Sequence, residues 1–266
     1  VVNGPMLNGL RYESLIRWKR PPGPVKELSA GRYENEGRVV DSFLTSFGAL
    51  VSAEMRGRAL TIRNSAGVAL NEAFQLDVSG TEGRLSAAVD LQDCTFSTPV
   101  GFFNVKGATL SQNAETPLRF YSDRCAYVSS VDVGAASKPG FFTYSGNCRQ
   151  QRQVDWWGHR NAYLDAIGPW TRGEGEPAGE QKFAEHWAAP WGPGHELQPL
   201  TGKGALLTRG GQRPRTKVAP PDFEVDPASP AGKWSNTGAP IGPSLSMLAE
   251  AEARPGVEKP DPKKPS

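Results

Sequence analysis

Cysteine is scarce. Cys94, Cys125 and Cys148 are the only three in 266 residues, and none stands in a Cys-x-x-Cys spacing. This excludes a disulfide-dense scaffold, a thiolate zinc site and a paired-thiol redox motif, and the three read as small buried side chains. Histidine is equally sparse: His159, His186 and His195 include no His-Glu-x-x-His pair, so neither a metal nor any other cofactor is expected. No window approaches the roughly 18 apolar residues of a membrane span, and no basic segment leads into an apolar run at the start. The expectation is a soluble chain whose compartment is open. A formal net charge of +2 is too slight to steer the chain to nucleic acid.

Catalytic signatures are missing as well. There is no Gly-x-Ser-x-Gly elbow, and Thr201-Gly202-Lys203-Gly204 lacks the earlier glycine and the following Ser/Thr of a phosphate loop. A kinase set of glycine-rich loop with Val-Ala-x-Lys, His-Arg-Asp and Asp-Phe-Gly is absent too.

What is present, from about Leu10 to Tyr163, is a series of short apolar or β-branched runs broken by Gly, Asn, Ser and Asp, which reads as β structure. Three segments resemble one another: Ala59–Ser65, Ala88–Phe96 and Arg119–Tyr127. In each, alternating side chains lead into a small residue, Ser65, Cys94 or Cys125, and successive copies lie 29 and 31 residues apart. Phe142–Cys148 offers a weaker fourth copy and Leu10–Ser14 an early one. A short strand cannot bury its apolar face alone, whereas stacking the same strand from successive coils builds a continuous core. Cys94 and Cys125 would then lie one above the other, with Phe96 and Tyr127 on a shared side. A β-sandwich of similar strands is the competing architecture.

After Tyr163 glycine, proline and tryptophan concentrate. Phe183 and Trp187, four apart, predict one short helix over Glu180–Ala188, ended by Pro190. Asp222–Val225 reads as one more strand, followed by a turn at Asp226–Pro230. The expected organisation is coils over 1–165, an irregular Trp-rich cap with the short helix over 166–221, a terminal strand and turn over 222–248, and a disordered tail over 249–266.

The β segments, the run Val154–Tyr163 and the closing Asp222–Pro230 resemble the right-handed parallel β-helix regions of planctomycete proteins, some attached to bacterial serine/threonine kinases. That family carries a Trp-x-Gly-x-x-Asn-x-Tyr element after its last regular coils. Here Trp156 to Tyr163 nearly fits it, with Trp157, Gly158, Asn161 and Tyr163 in recognisable order. Its terminal strand, Pro-x-Ser-Pro turn and glycine-containing sequence are matched by Pro227-Ala228-Ser229-Pro230 and Gly238–Gly242. The resemblance implies an all-β, right-handed parallel β-helix that serves as a non-catalytic scaffold, recognition or sensing module. It also implies either the C-terminal, non-kinase part of a longer bacterial protein, with an attached kinase domain as partner, or a free-standing relative.

Many parallel β-helices act on polysaccharides through carboxylates projecting from neighbouring coils. Asp90, Asp93 and Asp123 are therefore the candidate catalytic residues of an alternative reading as a carbohydrate-active enzyme, against their ordinary role at strand ends. Tryptophans crowd the second half. Trp156, Trp157 and Trp191 are the candidates for contact with a carbohydrate or protein ligand, and the competing role for them is to close the end of the stack.

Overall fold

The computed structural model describes residues 2–3, 14–19, 33, 35–78, 87–107, 118–129, 140–145, 154–164, 170–173, 183–188, 191–202, 220–235 and 241–243. In chain order the strands begin with β1 (Val2–Asn3), β2 (Ser14–Trp18), β3 (Asn35–Val40), β4 (Phe43–Ser46), β5 (Ala49–Glu54) and β6 (Arg58–Arg63). Next come β7 (Ala66–Ala69), β8 (Glu72–Asp77), β9 (Ala87–Gln92), β10 (Thr95–Thr98), β11 (Gly101–Lys106) and β12 (Leu118–Asp123). The last are β13 (Ala126–Ser129), β14 (Gly140–Ser145), β15 (Val154–His159), β16 (Ala162–Leu164), β17 (Thr171–Gly173), β18 (Glu196–Leu197) and β19 (Leu200–Gly202).

Each strand pairs with the strand three places along the chain, which sorts them into three sheets. The first runs β1-β4-β7-β10-β13-β16-β19, the second β2-β5-β8-β11-β14-β17 and the third β3-β6-β9-β12-β15-β18. Every pairing among the described residues is parallel. The protein is thus a solenoid-like stack in which each coil gives one strand to each sheet, and the antiparallel sandwich is excluded. No helix among the described residues is long and apolar enough to cross a membrane.

The turn from third sheet to first sets the repeat. Asp41, Asn64, Asp93, Arg124, Arg160 and Gln198 all adopt positive φ, between 44° and 54°. Asp and Asn take this left-handed conformation readily; Arg and Gln adopt it here because the coil geometry demands it. The N–H of Asn64, Asp93, Arg124 and Arg160 donates to a carbonyl of the next coil, at 2.9–3.0 Å. A compact residue follows each of the first five, giving the column Ser42, Ser65, Cys94, Cys125 and Asn161. The three repeats read from the sequence therefore align. Phe142–Ser145 does not join them: Gly140–Ser145 belongs to the second sheet, where Phe142 pairs with Phe103. The next copy is Val154–His159, in register with β12.

Inside, equivalent positions form aromatic columns. Phe74, Phe103 and Phe142 stack at 5.1 and 5.0 Å, and Phe120 and Trp156 of the third sheet pack across from them. Phe96 and Tyr127 are in register and buried, their centroids 6.2 Å apart.

Pairing runs on past residue 165 through β17, β18 and β19. Between β17 and β18 the expected helix is a short turn of π type, Ala184–Ala188. Asp222–Val225 is not a strand: Pro220–Phe223 forms a 3-10 turn, leaving only an isolated bridge at Val225. Two prolines with no N–H to donate open this segment, which disfavours a ladder. The turn at Asp226–Pro230 does form, and the Ser229 hydroxyl caps the α-helix α1 (Pro230–Ser235) by accepting from Gly232 N at 3.0 Å. Phe223, Ala231 and Ile241 from this region cover Phe43, Ala66, Ala126 and Ala162 on the outside of the first sheet.

Candidate functional site

Alternation along the third sheet decides which side chains it shows. In β12, Leu118, Phe120 and Ser122 point inward, while Arg119, Tyr121 and Asp123 point outward. Register extends this to neighbouring coils. One outward column contains Thr61, Asp90, Tyr121 and Trp157, flanked by Arg119 and Asp155 on one side and by Gln92, Asp123 and His159 on the other. Tyr121 and Trp157 are each 42% exposed.

Polar contacts fix this face. Asp90 accepts from Arg63 and Gln92, each at 3.1 Å. Asp93, at the corner, receives Arg124 through two nitrogens at 2.6 and 2.8 Å. The same guanidinium donates to Asp123 at 2.6 Å, and His159 Nδ1 lies 2.8 Å from the other Asp123 oxygen. The hydrogen bond to Asp93 holds the Arg124 guanidinium above its ordinary range. Asp155 accepts Trp157 Nε1–H at 3.0 Å, and His195 lies 4.1 Å from the Trp157 ring, centroid to centroid. The structure thus joins Asp93 and Asp123 through Arg124 and leaves Asp90 with separate partners.

The three candidate tryptophans part company. Trp156 is 0% exposed and lies within the core. Its chain neighbour Trp157 faces out. Trp191 is half-buried against Trp187, 5.7 Å between centroids, and its Nε1 has no hydrogen-bond partner among the described residues. Trp170 and Trp187, buried, close the end of the aromatic columns.

One residue that the sequence did not mark organises this end. Glu196, on β18, pairs with Gly158 and sends its carboxylate inward. Trp156 Nε1, Tyr163 Oη, Asn161 Nδ2 and Trp187 Nε1 all donate to it. A Cβ on Gly158 would collide with that carboxylate, so glycine there is what makes room. The residue as a whole keeps partial exposure, but its carboxylate is enclosed. Burial raises its pKa, and the four hydrogen bonds lessen the rise. Trp156, and not its neighbour Trp157, fills the tryptophan position of the Trp-x-Gly-x-x-Asn-x-Tyr element, and with Gly158, Asn161 and Tyr163 it forms a socket for Glu196. Asn161 continues the network inward, its Oδ1 accepting from Ser122 Oγ and Cys125 N. Burial pushes the Tyr163 and Tyr127 hydroxyls well above their usual range, so both stay protonated.

No sequence signal pointed to Glu196: its strand has two residues, and its partner lies 38 positions earlier. Searched against protein-family models, curated proteins and solved structures, the chain matches none.

Proposed function

We propose that the protein is a carbohydrate-recognition module built on a right-handed parallel β-helix, forming a region of a larger bacterial protein of the kind joined to serine/threonine kinases. The observation that carries the recognition reading is the outward pair Tyr121 and Trp157, exposed on adjacent strands among carboxylates, amides and imidazoles. Flat rings take the apolar face of a sugar, and the polar flanks take its hydroxyls. Right-handedness is supported by the near-universal hand of parallel crossover connections. The kinase association rests on the resemblance of Val154–Tyr163 and Asp222–Pro230 to regions attached to such kinases.

The reading as a carbohydrate-active enzyme is favoured by one observation, the Asp123–His159 contact beside the aromatic pair. Recognition is preferred because Asp123 is already ion-paired with Arg124. A glycan array with the wild-type chain, Trp157→Ala and Tyr121→Ala tests the proposal. Retention of a defined glycan, weakened about tenfold, or roughly 1.4 kcal/mol, in either variant with unchanged melting, supports it. No retention by the wild type, or full retention by both variants, refutes it. Release of shortened products, lost in Asp123→Asn, would establish the enzyme instead.

A further inference from the structure

Two features of the third sheet's outer face narrow the ligand: the direction in which its aromatic rings run and the way its charges are spent. Tyr121 and Trp157 are register partners on hydrogen-bonded strands, so they are separated by one strand spacing, about 4.8 Å, along the stack and not along a strand. Along β12 the outward neighbours of Tyr121 are Arg119 and Asp123, both polar. On these two coils the apolar contact is therefore a stripe one residue wide, running across the coils, with hydrogen-bonding groups on both sides; on the two preceding coils Ala88 and Ala59 take the place of Arg119. Thr61 and Asp90 continue the same column on the two preceding coils.

The face and its corner carry the carboxylates Glu36, Asp41, Asp90, Asp93, Asp123 and Asp155 and the guanidinium groups Arg38, Arg63, Arg119, Arg124 and Arg160. Three of those five cations are already engaged: Arg38 with Glu36, Arg63 with Asp90, and Arg124 with Asp93 and Asp123. A polyanion would meet more carboxylates than cations, and a polycation would have to compete with Arg38, Arg63 and Arg124 for Glu36, Asp90, Asp93 and Asp123. Paired carboxylates and guanidinium groups still accept from and donate to sugar hydroxyls.

We infer that this face takes a linear, uncharged polysaccharide laid along the stack axis, with successive sugar rings on successive coils. The inference rests on the recognition reading above and adds to it the charge class and the direction of the chain. Five coils contribute to the column, through Arg38, Thr61, Asp90, Tyr121 and Trp157, so binding gains with length up to about five sugars and then levels.

Isothermal titration of the full chain with cello- and chito-oligosaccharides from disaccharide to hexasaccharide, beside oligogalacturonates of equal length, tests this. The expected result is a rise in affinity of at least tenfold from disaccharide to pentasaccharide in an uncharged series, little gain beyond, and uronates at least tenfold weaker. Trp157→Ala flattens the length dependence. Uronates bound as tightly as the uncharged series would overturn the inference while leaving carbohydrate recognition in place, as would a disaccharide as tight as a hexasaccharide. Failure of both series on a chain that also retains nothing on the glycan array removes the inference and the recognition reading together.

Discussion

Phe142 and Trp187 stack face to face, their centroids 5.5 Å apart and their planes 19° from parallel. The column of phenylalanines begun at Phe74 thus receives its next ring from the helical turn between β17 and β18, a segment that belongs to no sheet. Stacked coils leave an open apolar end, and a terminal element must cover it. Trp187 does so, 0% exposed, while also donating to Glu196.

Replacing Trp187 with alanine removes that cover, and the expected loss is roughly 3–5 kcal/mol in urea unfolding, typical of emptying a large buried aromatic site. Trp157→Ala, on the surface, should cost less than about 1 kcal/mol. Equal losses in the two variants would contradict the division of the tryptophans into cover and platform.

Gly158 and Glu196 should be energetically coupled. Gly158→Ala forces the carboxylate out of its socket, and overpacking of this kind costs about 1–3 kcal/mol. In Glu196→Ala the clash has no partner, so adding Gly158→Ala to that background should cost markedly less. A double-mutant cycle reads the difference directly; additive losses would show that Gly158 does not serve Glu196.

Stability should depend on pH through Glu196. Its folded pKa is raised above the unfolded value of 4.5, so the folded chain holds this proton more tightly than the unfolded one. The contribution is fully present below about pH 4.5 and is lost as pH rises through the folded pKa. Urea unfolding of the wild type and Glu196→Gln across pH 4 to 7 should therefore show the wild type's relative stability falling with rising pH. A relative stability that grows over this range would contradict the assignment.

Cys94 and Cys125 should resist alkylation in the folded chain. Both thiols are fully buried, and burial, with the neighbouring Cys125 adding to it, pushes the Cys94 thiol well above its usual range, so little nucleophilic thiolate forms. Peptide-resolved mass spectrometry after iodoacetamide should find these two cysteines modified only in denaturant. Rapid labelling of either in the native chain would disprove the stacked column.

The sequence disclosed the coils where the repeat carries a physical mark. A left-handed corner followed by a compact residue is visible at Asn64-Ser65, Asp93-Cys94 and Arg124-Cys125, and these are the copies that align. Phe142–Cys148 misled because alternation alone is common to strands of all three sheets. Trp156 and Trp157 were indistinguishable by composition; only register with Phe120 and Tyr121 sends one inward and the other out. Beyond residue 165 the strands shrink to two or three residues, too short to alternate legibly, which hid both the last coil and Glu196.

Hydroxyl-radical footprinting with and without a linear neutral glycan tests the central claim, that the outer face of the third sheet is the recognition surface. Trp157 and Tyr121 should be oxidised readily in the free protein and protected when the glycan is bound, with Trp156 and Trp187 unreactive in both states. Oxidation of Trp156 as fast as Trp157, or an unchanged Trp157 and Tyr121 under saturating glycan, would contradict it.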